Sequence, residues 1–271
     1  ENMEHNNLQL NKGQQYAYDQ IMDFVANDTS QVFILRGYAG TGKTTLMKRI
    51  IQAFAEQSVN FRLLASTGRA AKILSDLTGY AASTVHSEIY SFGDLNVELE
   101  VLAKDREKDK EDKSQDLFLQ FELRLHKYEE VEPCVYIIDE ASMISDNKVM
   151  TNSQARFGSG RLLADLFESD KNGKYIFVGD QCQLPPINQD ISPALSTGYI
   201  ARTFQKDVKE AELTQIMRQQ GDNDIPVAAS KLRNLYLRPQ PWQWAKFPLR
   251  GYAHIHLLSS QAELYSRYID N

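Results

Sequence analysis

Apolar residues recur along the chain at two spacings, and the way these alternate predicts the fold class. Asn11-Lys12-Gly13-Gln14 has the form of a capping box, after which Ala17, Ile21, Phe24 and Val25 follow at helical intervals. A first helix is expected from about Asn11 to Ala26. Val32-Phe33-Ile34-Leu35 is a short apolar run ending in a glycine-rich turn, and Leu46, Ile50 and Phe54 then mark one face of a second helix. Phe61 to Ala65 repeats the strand signal. Ala71, Leu74 and Leu77 give the apolar face of the next helix, which Gly79 should end in a left-handed conformation. Val135 to Ile138 and Tyr175 to Val178 are further strand candidates, each leading to an acidic residue. Strands alternating with helices predict an α/β fold, a mostly parallel sheet flanked by helices.

One stretch breaks this rhythm. Lys104 to Lys113 alternates acid and base between two candidate strands, Leu95 to Leu102 and Leu117 to Leu125. That pattern suits a protruding hairpin with a solvated tip, and equally a charged helix or surface insertion. Beyond Arg218 the alternation fades, and Arg238-Pro239-Gln240-Pro241-Trp242 reads as a linker. Residues 1–92 and 129–238 are therefore expected to form the main domain, with an inserted β-hairpin subdomain at 93–128. Residues 239–271 are a linker or the start of another domain. Trp242, Trp244 and Phe247, interleaved with Lys246 and Arg250, read as the seal of a domain edge in preference to a base-stacking platform.

Composition narrows the class without choosing a function. With 271 residues, 24% charged and 42% hydrophobic, the chain can bury a core without staples, which excludes disulfide miniproteins and disordered tails. No run approaches the roughly 18 apolar residues of a membrane span, and the opening ENMEHNN lacks a signal-peptide plan. A cytoplasmic location with no membrane partner is expected. Cys134 and Cys182 adjoin apolar runs and read as buried thiols, not as a disulfide or a zinc site. The net charge of -6 leaves nucleic acid open as a partner, since a local groove of donors suffices.

The candidate chemistry begins at Gly37-Tyr38-Ala39-Gly40-Thr41-Gly42-Lys43-Thr44, which matches G-x-x-x-x-G-K-[ST] directly after a strand and at the opening of a helix. Gly37, Gly40, Thr41 and Gly42 let backbone N–H groups close around phosphates, and the helix N-terminus, with Thr44 and Thr45 in its first turn, adds its dipole. Lys43 is placed to reach the β and γ oxygens of ATP, and Thr44 to hold Mg²⁺. Asp139 and Glu140 end an apolar strand at the edge where α/β sheets bind ligands. Asp139 suits the same Mg²⁺ and Glu140 the polarisation of an attacking water, although Asp139 or Ser142 could instead cap a helix.

With Gly179-Asp180-Gln181-Cys182-Gln183-Leu184-Pro185-Pro186, the ordered set of motifs resembles the superfamily 1B DNA helicases of the RecD, Dda and TraI type. The resemblance runs from about Leu10 to Arg218 and implies an amino-terminal RecA-like P-loop motor domain. It implies that Gln14 recognises adenine, where the capping box is the alternative reading, and that Gln183 senses the γ-phosphate. Ser66, Thr67, Gly68 and Arg69, together with Thr84 and a loop-borne His86, would grip the phosphates of single-stranded DNA, although Thr67 also suits an N-cap. Arg218 would reach the γ-phosphate as a finger. Residues 93–128 stand where relatives carry a small duplex-splitting subdomain, which by the resemblance makes the insertion a candidate wedge. Single-stranded DNA, duplex junctions and a second RecA-like domain of the parent chain are the implied partners, and 5′ to 3′ movement the implied polarity. The motifs of that second domain do not appear after Arg218, so the chain reads as an amino-terminal fragment that hydrolyses ATP slowly by itself. Two rivals are a nucleotide kinase, which would need an arginine-rich lid, and a non-catalytic nucleic-acid-binding module. Intact Lys43, Thr44, Asp139 and Glu140 count against the second.

Overall fold

The computed structural model describes residues 9–95, 119–125, 133–148, 155–215, 228–229 and 231–232. Its main unit holds the described parts of residues 1–37 and 43–213. A second unit groups the 38–42 loop with the described residues from Thr214 onward. Six strands, β1 (Val32–Gly37), β2 (Phe61–Ala65), β3 (Ala82–Thr84), β6 (Val135–Asp139), β8 (Lys174–Gly179) and β9 (Val208–Leu213), form one sheet in the order β3-β2-β6-β8-β1-β9. Every pairing in it is parallel. The α/β expectation is met.

The continuous apolar runs have a simple cause, since a parallel sheet covered by helices buries both faces. Phe33 and Leu35 of β1, Val135 and Ile137 of β6, and Ile176 and Val178 of β8 face one layer. That layer is built by α1 (Lys12–Ala26), α2 (Lys43–Glu56) and α3 (Gly68–Thr78) through residues such as Ile21, Ile50 and Leu74. Val32, Ile34, Tyr136, Ile138, Tyr175 and Phe177 alternate to the other face. There they meet α4 (Val85–Ile89), α5 (Leu162–Ser169) and α6 (Thr197–Phe204) through Val85, Leu166 and Ile200. Each fully buried side chain of this kind contributes about 1.5–3 kcal/mol, so the two layers supply most of the drive to fold.

Helix ends follow the sequence closely. Asn11 accepts from the Gln14 N–H at 2.8 Å while Gln14 Oε1 accepts from the Asn11 N–H at 2.9 Å, closing the capping box. Gly79 ends α3 at φ 77° with its N–H donating to Ser75 O. Leu77 departs from its expected place on the buried face of α3, since it is 43% exposed and Ala71 and Leu74 alone are buried. Cys134 is buried, but Cys182 is only partly so. No helix of the described residues is long and apolar enough to cross a membrane.

A second, smaller sheet joins β4 (Tyr90–Leu95), antiparallel β5 (Leu119–Leu123) and β7 (Ala155–Phe157), which is parallel to β5. The first of these strands lies earlier than the expected Leu95 to Leu102, and the charged stretch Lys104 to Lys113 lies outside the described residues. Phe121 stacks on Phe157 with ring centroids 4.6 Å apart, and His86 meets Phe157 edge-on at 5.1 Å. Tyr90 donates to Asp165 Oδ2 at 2.6 Å, and the Ser159 N–H donates to the same oxygen at 3.0 Å, so α5 anchors this sheet. Burial and the neighbouring Asp165 carboxylate push the Tyr90 phenol far above its ordinary range, which keeps it a donor.

Gly179 at the end of β8 permits a close approach to the turn after β6. A Cβ there would lie 2.9 Å from Leu195 Cδ1, 3.3 Å from Ser142 N and 3.4 Å from Ala141 N. Gly179→Ala is therefore expected to lower stability by about 1–3 kcal/mol through overpacking. Urea unfolding with an unchanged m-value checks it, and a loss under 0.5 kcal/mol would show that the turn at Ala141 yields easily.

Candidate active site

Parallel strands bring their C-terminal ends to one edge, and the register specifies which residues share it. Arg36 pairs with Gly179, Ile138 with Phe177, Ala65 with Asp139, and Ala65 also with Thr84. Gly37, Gly179, Asp139, Ala65 and Thr84 thus stand along the edge at intervals of about 5 Å, the spacing of adjacent strands. The candidate phosphate, acid and sensor segments emerge from neighbouring strands β1, β6 and β8.

The loop that leaves β1 turns sharply. Gly40 and Gly42 adopt φ 80° and 82°, a left-handed backbone that side chains disfavour, and the buried Thr41 hydroxyl donates to Tyr38 O at 2.7 Å. Lys43 opens α2 and its Nζ donates to the carbonyl of Gly37 at 2.7 Å, which ties the helix start to the end of β1. Thr44 is exposed and Thr45 partly buried in the first turn.

At the end of β6, burial is the main cause that raises the Asp139 carboxyl to about 6; the Glu140 charge adds to it, while a backbone hydrogen bond from Glu140 and the Lys43 charge oppose it. A desolvated carboxylate beside a second carboxylate is an environment that a divalent cation would relieve. Carboxylates are hard oxygen donors of the kind that Mg²⁺ takes. Glu140 itself sits at φ 52°, ψ 40°, a left-handed conformation that is strained for a glutamate and that concentrates at functional positions. It immediately precedes the 3-10 turn Ala141–Met143.

The segment after β8 is fastened to this turn. The Gln183 N–H donates to Asp180 O at 3.1 Å and the Cys182 N–H to Asp180 Oδ1 at 2.9 Å, with Asp180 buried. The hydroxyl of fully buried Ser142 donates to Gln183 Oε1 at 3.1 Å. Farther along, the Asp146 N–H donates to Gln189 Oε1 at 3.1 Å and Asn147 Nδ2 to Asn188 O at 2.9 Å. The Asp146 carboxylate is held in turn by Arg161 and by the Tyr199 hydroxyl, each at 2.6 Å, and by the Ala164 N–H at 3.1 Å. Sequence reading passed over Asp146, Arg161, Gln189 and Tyr199, and took Ser142 only as a possible cap. Nothing in their local sequence marks these long-range pairs.

The remaining expected residues fall in three places. Thr67 caps α3 by accepting from the Ala70 N–H at 3.2 Å, with Gly68 and Arg69 exposed beside it. The Ser66 hydroxyl is buried and has no hydrogen-bond partner among the described residues. Thr84 ends β3 and caps α4 through a reciprocal box with Ser87, accepting from the Ser87 N–H at 3.1 Å. His86 belongs to helix α4 and not to a loop, because that capping box starts the helix at Val85; burial lowers its pKa. Gln14 is fully buried, its side-chain oxygen engaged by Asn11. Arg218, Trp242 and Trp244 lie outside the described residues.

Residues 9–235 match an AAA domain family. The chain is 27% identical over 205 residues to the ATP-dependent RecD2 DNA helicase of Deinococcus radiodurans, covering 74% of this chain and 22% of that protein. It is 31% identical over 212 residues to the ATP-dependent DNA helicase dda of Enterobacteria phage T4, covering 77% and 39% respectively. The Pif1 helicase structure from Candida albicans is 22% identical with a TM-score of 0.45, covering 84% of this chain and 44% of that one. The chain therefore spans less than half the length of each of these proteins.

Asp139 yields a pH signature. Its folded pKa of about 6 exceeds the unfolded value of 3.8, so the folded state holds more protons between them. Its stabilising contribution is complete below pH 3.8 and is lost as pH rises through about 6. In Mg²⁺-free buffer, Asp139→Asn should flatten the stability profile across that window, as followed by denaturant midpoints from pH 4 to 7. An unchanged slope would show that the carboxylate is solvated.

Proposed function

The chain belongs to the AAA domain family and to the superfamily 1B helicases, and on that premise we propose that it is the first, nucleotide-binding motor domain of an ATP-dependent DNA helicase. The observation that carries this reading is the shared sheet edge. The phosphate loop, the Asp139–Glu140 pair and Gln183 leave adjacent strands there, with Ser142 bonded to Gln183.

The roles follow from the chemistry of each group. Lys43 and the N-terminus of α2 neutralise the β and γ oxygens of ATP. Thr44 and Asp139 would hold Mg²⁺, which when bound would supply positive charge against the phosphates. Glu140 accepts a proton from the attacking water, its carboxylate aimed by the strained backbone that carries it. Gln183 contacts the γ-phosphate and Arg218 adds a positive charge as that phosphate leaves. Gln14 and its capping partner lie at the start of α1, the place of the adenine contact in this reading.

DNA lies toward β2 and β3, one and two strands beyond Asp139. Ser66, Gly68, Arg69, Thr84 and His86 are its proposed contacts, with Thr67 bracing the start of α3. Backbone N–H groups and hydroxyls at these positions grip phosphates without reading bases. The small sheet and the 93–128 insertion are the proposed wedge at a duplex junction. A second RecA-like domain of the parent protein closes on the nucleotide, and that closure drives 5′ to 3′ movement along single-stranded DNA. By itself the 271-residue chain then binds ATP weakly and turns it over slowly.

ATP hydrolysis with and without single-stranded DNA tests this, comparing the chain with its parent protein that includes the second domain. The parent should show DNA-stimulated turnover that Glu140→Gln lowers at least about 100-fold, and the chain alone should show little. Turnover indifferent to DNA in both would overturn the helicase reading. Phosphorylation of a small acceptor would establish a kinase in its place.

A further inference from the structure

We propose that Ser142 is a positioning residue that holds the Gln183 side-chain amide in one orientation, oxygen inward and NH₂ outward, for the terminal phosphate of a nucleoside triphosphate. The inference rests on the nucleotide-binding reading above and assigns a role to a residue that no motif marks.

An exposed glutamine has three rotatable bonds and an amide that can be turned either way, so a glutamine that recognises phosphate must be ordered first. Phosphate oxygens only accept hydrogen bonds. A Gln183 amide that presented its carbonyl to them would be repelled, whereas its NH₂ can donate. The Ser142 hydroxyl donates to Gln183 Oε1 at 3.1 Å, and Gln183 Nε2 makes no hydrogen bond among the described residues. One contact therefore both tethers the side chain and decides its polarity.

The tether is rigid at both ends. Ser142 is fully buried, and the backbone of its turn packs on Gly179, where a Cβ would lie 3.3 Å from Ser142 N. The Ile144 N–H closes the turn onto Ala141 O at 3.1 Å. On the other side, the Gln183 N–H is fixed to Asp180 O at 3.1 Å and Pro185-Pro186 stiffens the segment that follows. Ser142 also stands two residues after Glu140. The amide that touches the phosphate and the carboxylate proposed to activate water are thus joined through one short turn.

Binding of fluorescent ADP and ATPγS to the 271-residue chain tests this without requiring turnover. Wild type should prefer ATPγS. Ser142→Ala should weaken ATPγS by about three- to tenfold, the worth of one hydrogen bond, and leave ADP within twofold. Gln183→Ala should lose at least as much, and the double variant no more than Gln183→Ala alone, since coupled residues are not additive. Ser142→Thr, which keeps the hydroxyl, should restore the preference. Equal weakening of ADP and ATPγS by Ser142→Ala, multiplied losses in the double variant, or an unchanged preference would each overturn the positioning role. Should Ser142→Ala fail to fold, Gln183→Glu decides. It keeps an acceptor for Ser142 but replaces the outward donor with an anionic oxygen, so it should lose the ATPγS preference and keep ADP. A retained preference overturns the proposed orientation. Wild type that binds neither nucleotide overturns the nucleotide reading as well, whereas a preference that Ser142→Ala leaves intact overturns this inference alone.

Discussion

All six strands of the large sheet run in the same direction, and the arrangement of the candidate site depends on that constraint. Parallel strands must return through crossovers, so each strand delivers its following loop to the same edge. The strand order then fixes the order of what arrives there, with Asp139 and Gly179 at the centre, Ala65 and Gly37 on either side of them, and Thr84 at one edge. Helices on both faces bury the apolar side chains of the sheet. The candidate chemistry is concentrated along this edge because the loops that leave the strands arrive there together.

The elements that do the burying were legible in the sequence, and those defined by long-range pairing were not. Val32 to Leu35, Val135 to Ile138 and Tyr175 to Val178 announce themselves because both faces of a central parallel strand are apolar. Edge strands give no such signal. β9, with the sequence Val-Lys-Glu-Ala-Glu-Leu, buries only Ala211 and Leu213, and β3 is three residues long. Leu77 shows the limit of periodicity, since its helix lies along the sheet edge and leaves that turn uncovered. The phosphate loop and the acid pair could be read because their residues are adjacent in sequence. The Ser142 to Gln183 and Asp146 to Gln189 contacts could not, because each spans about 40 residues with ordinary polar side chains.

Electrostatics sets the tone of the central edge. Asp139 is desolvated beside Glu140, and Lys43 offsets only part of the cost. The arrangement is unfavourable for the protein alone, and it is the kind of stored cost that a cation and a polyphosphate together would release. The same unit shows what a satisfied buried charge looks like. Asp146, more fully buried than Asp139, has Arg161, Tyr199 and a backbone N–H around it. The two carboxylates differ in that respect: Asp146 is surrounded by donors, whereas the nearest charge to Asp139 besides Lys43 is another carboxylate.

The hydrogen bonds that zip residues 140–147 to residues 180–190 bear on how this fold can be re-engineered. Transplanting either loop into another scaffold would carry its signature residues but sever the partner that orients them. Gln183 would arrive without Ser142, and Gln189 without Asp146. The smallest portable module is therefore a pair of loops with their two parent strands, β6 and β8, and a design that treats the second loop as a self-contained cassette would inherit its letters without its geometry.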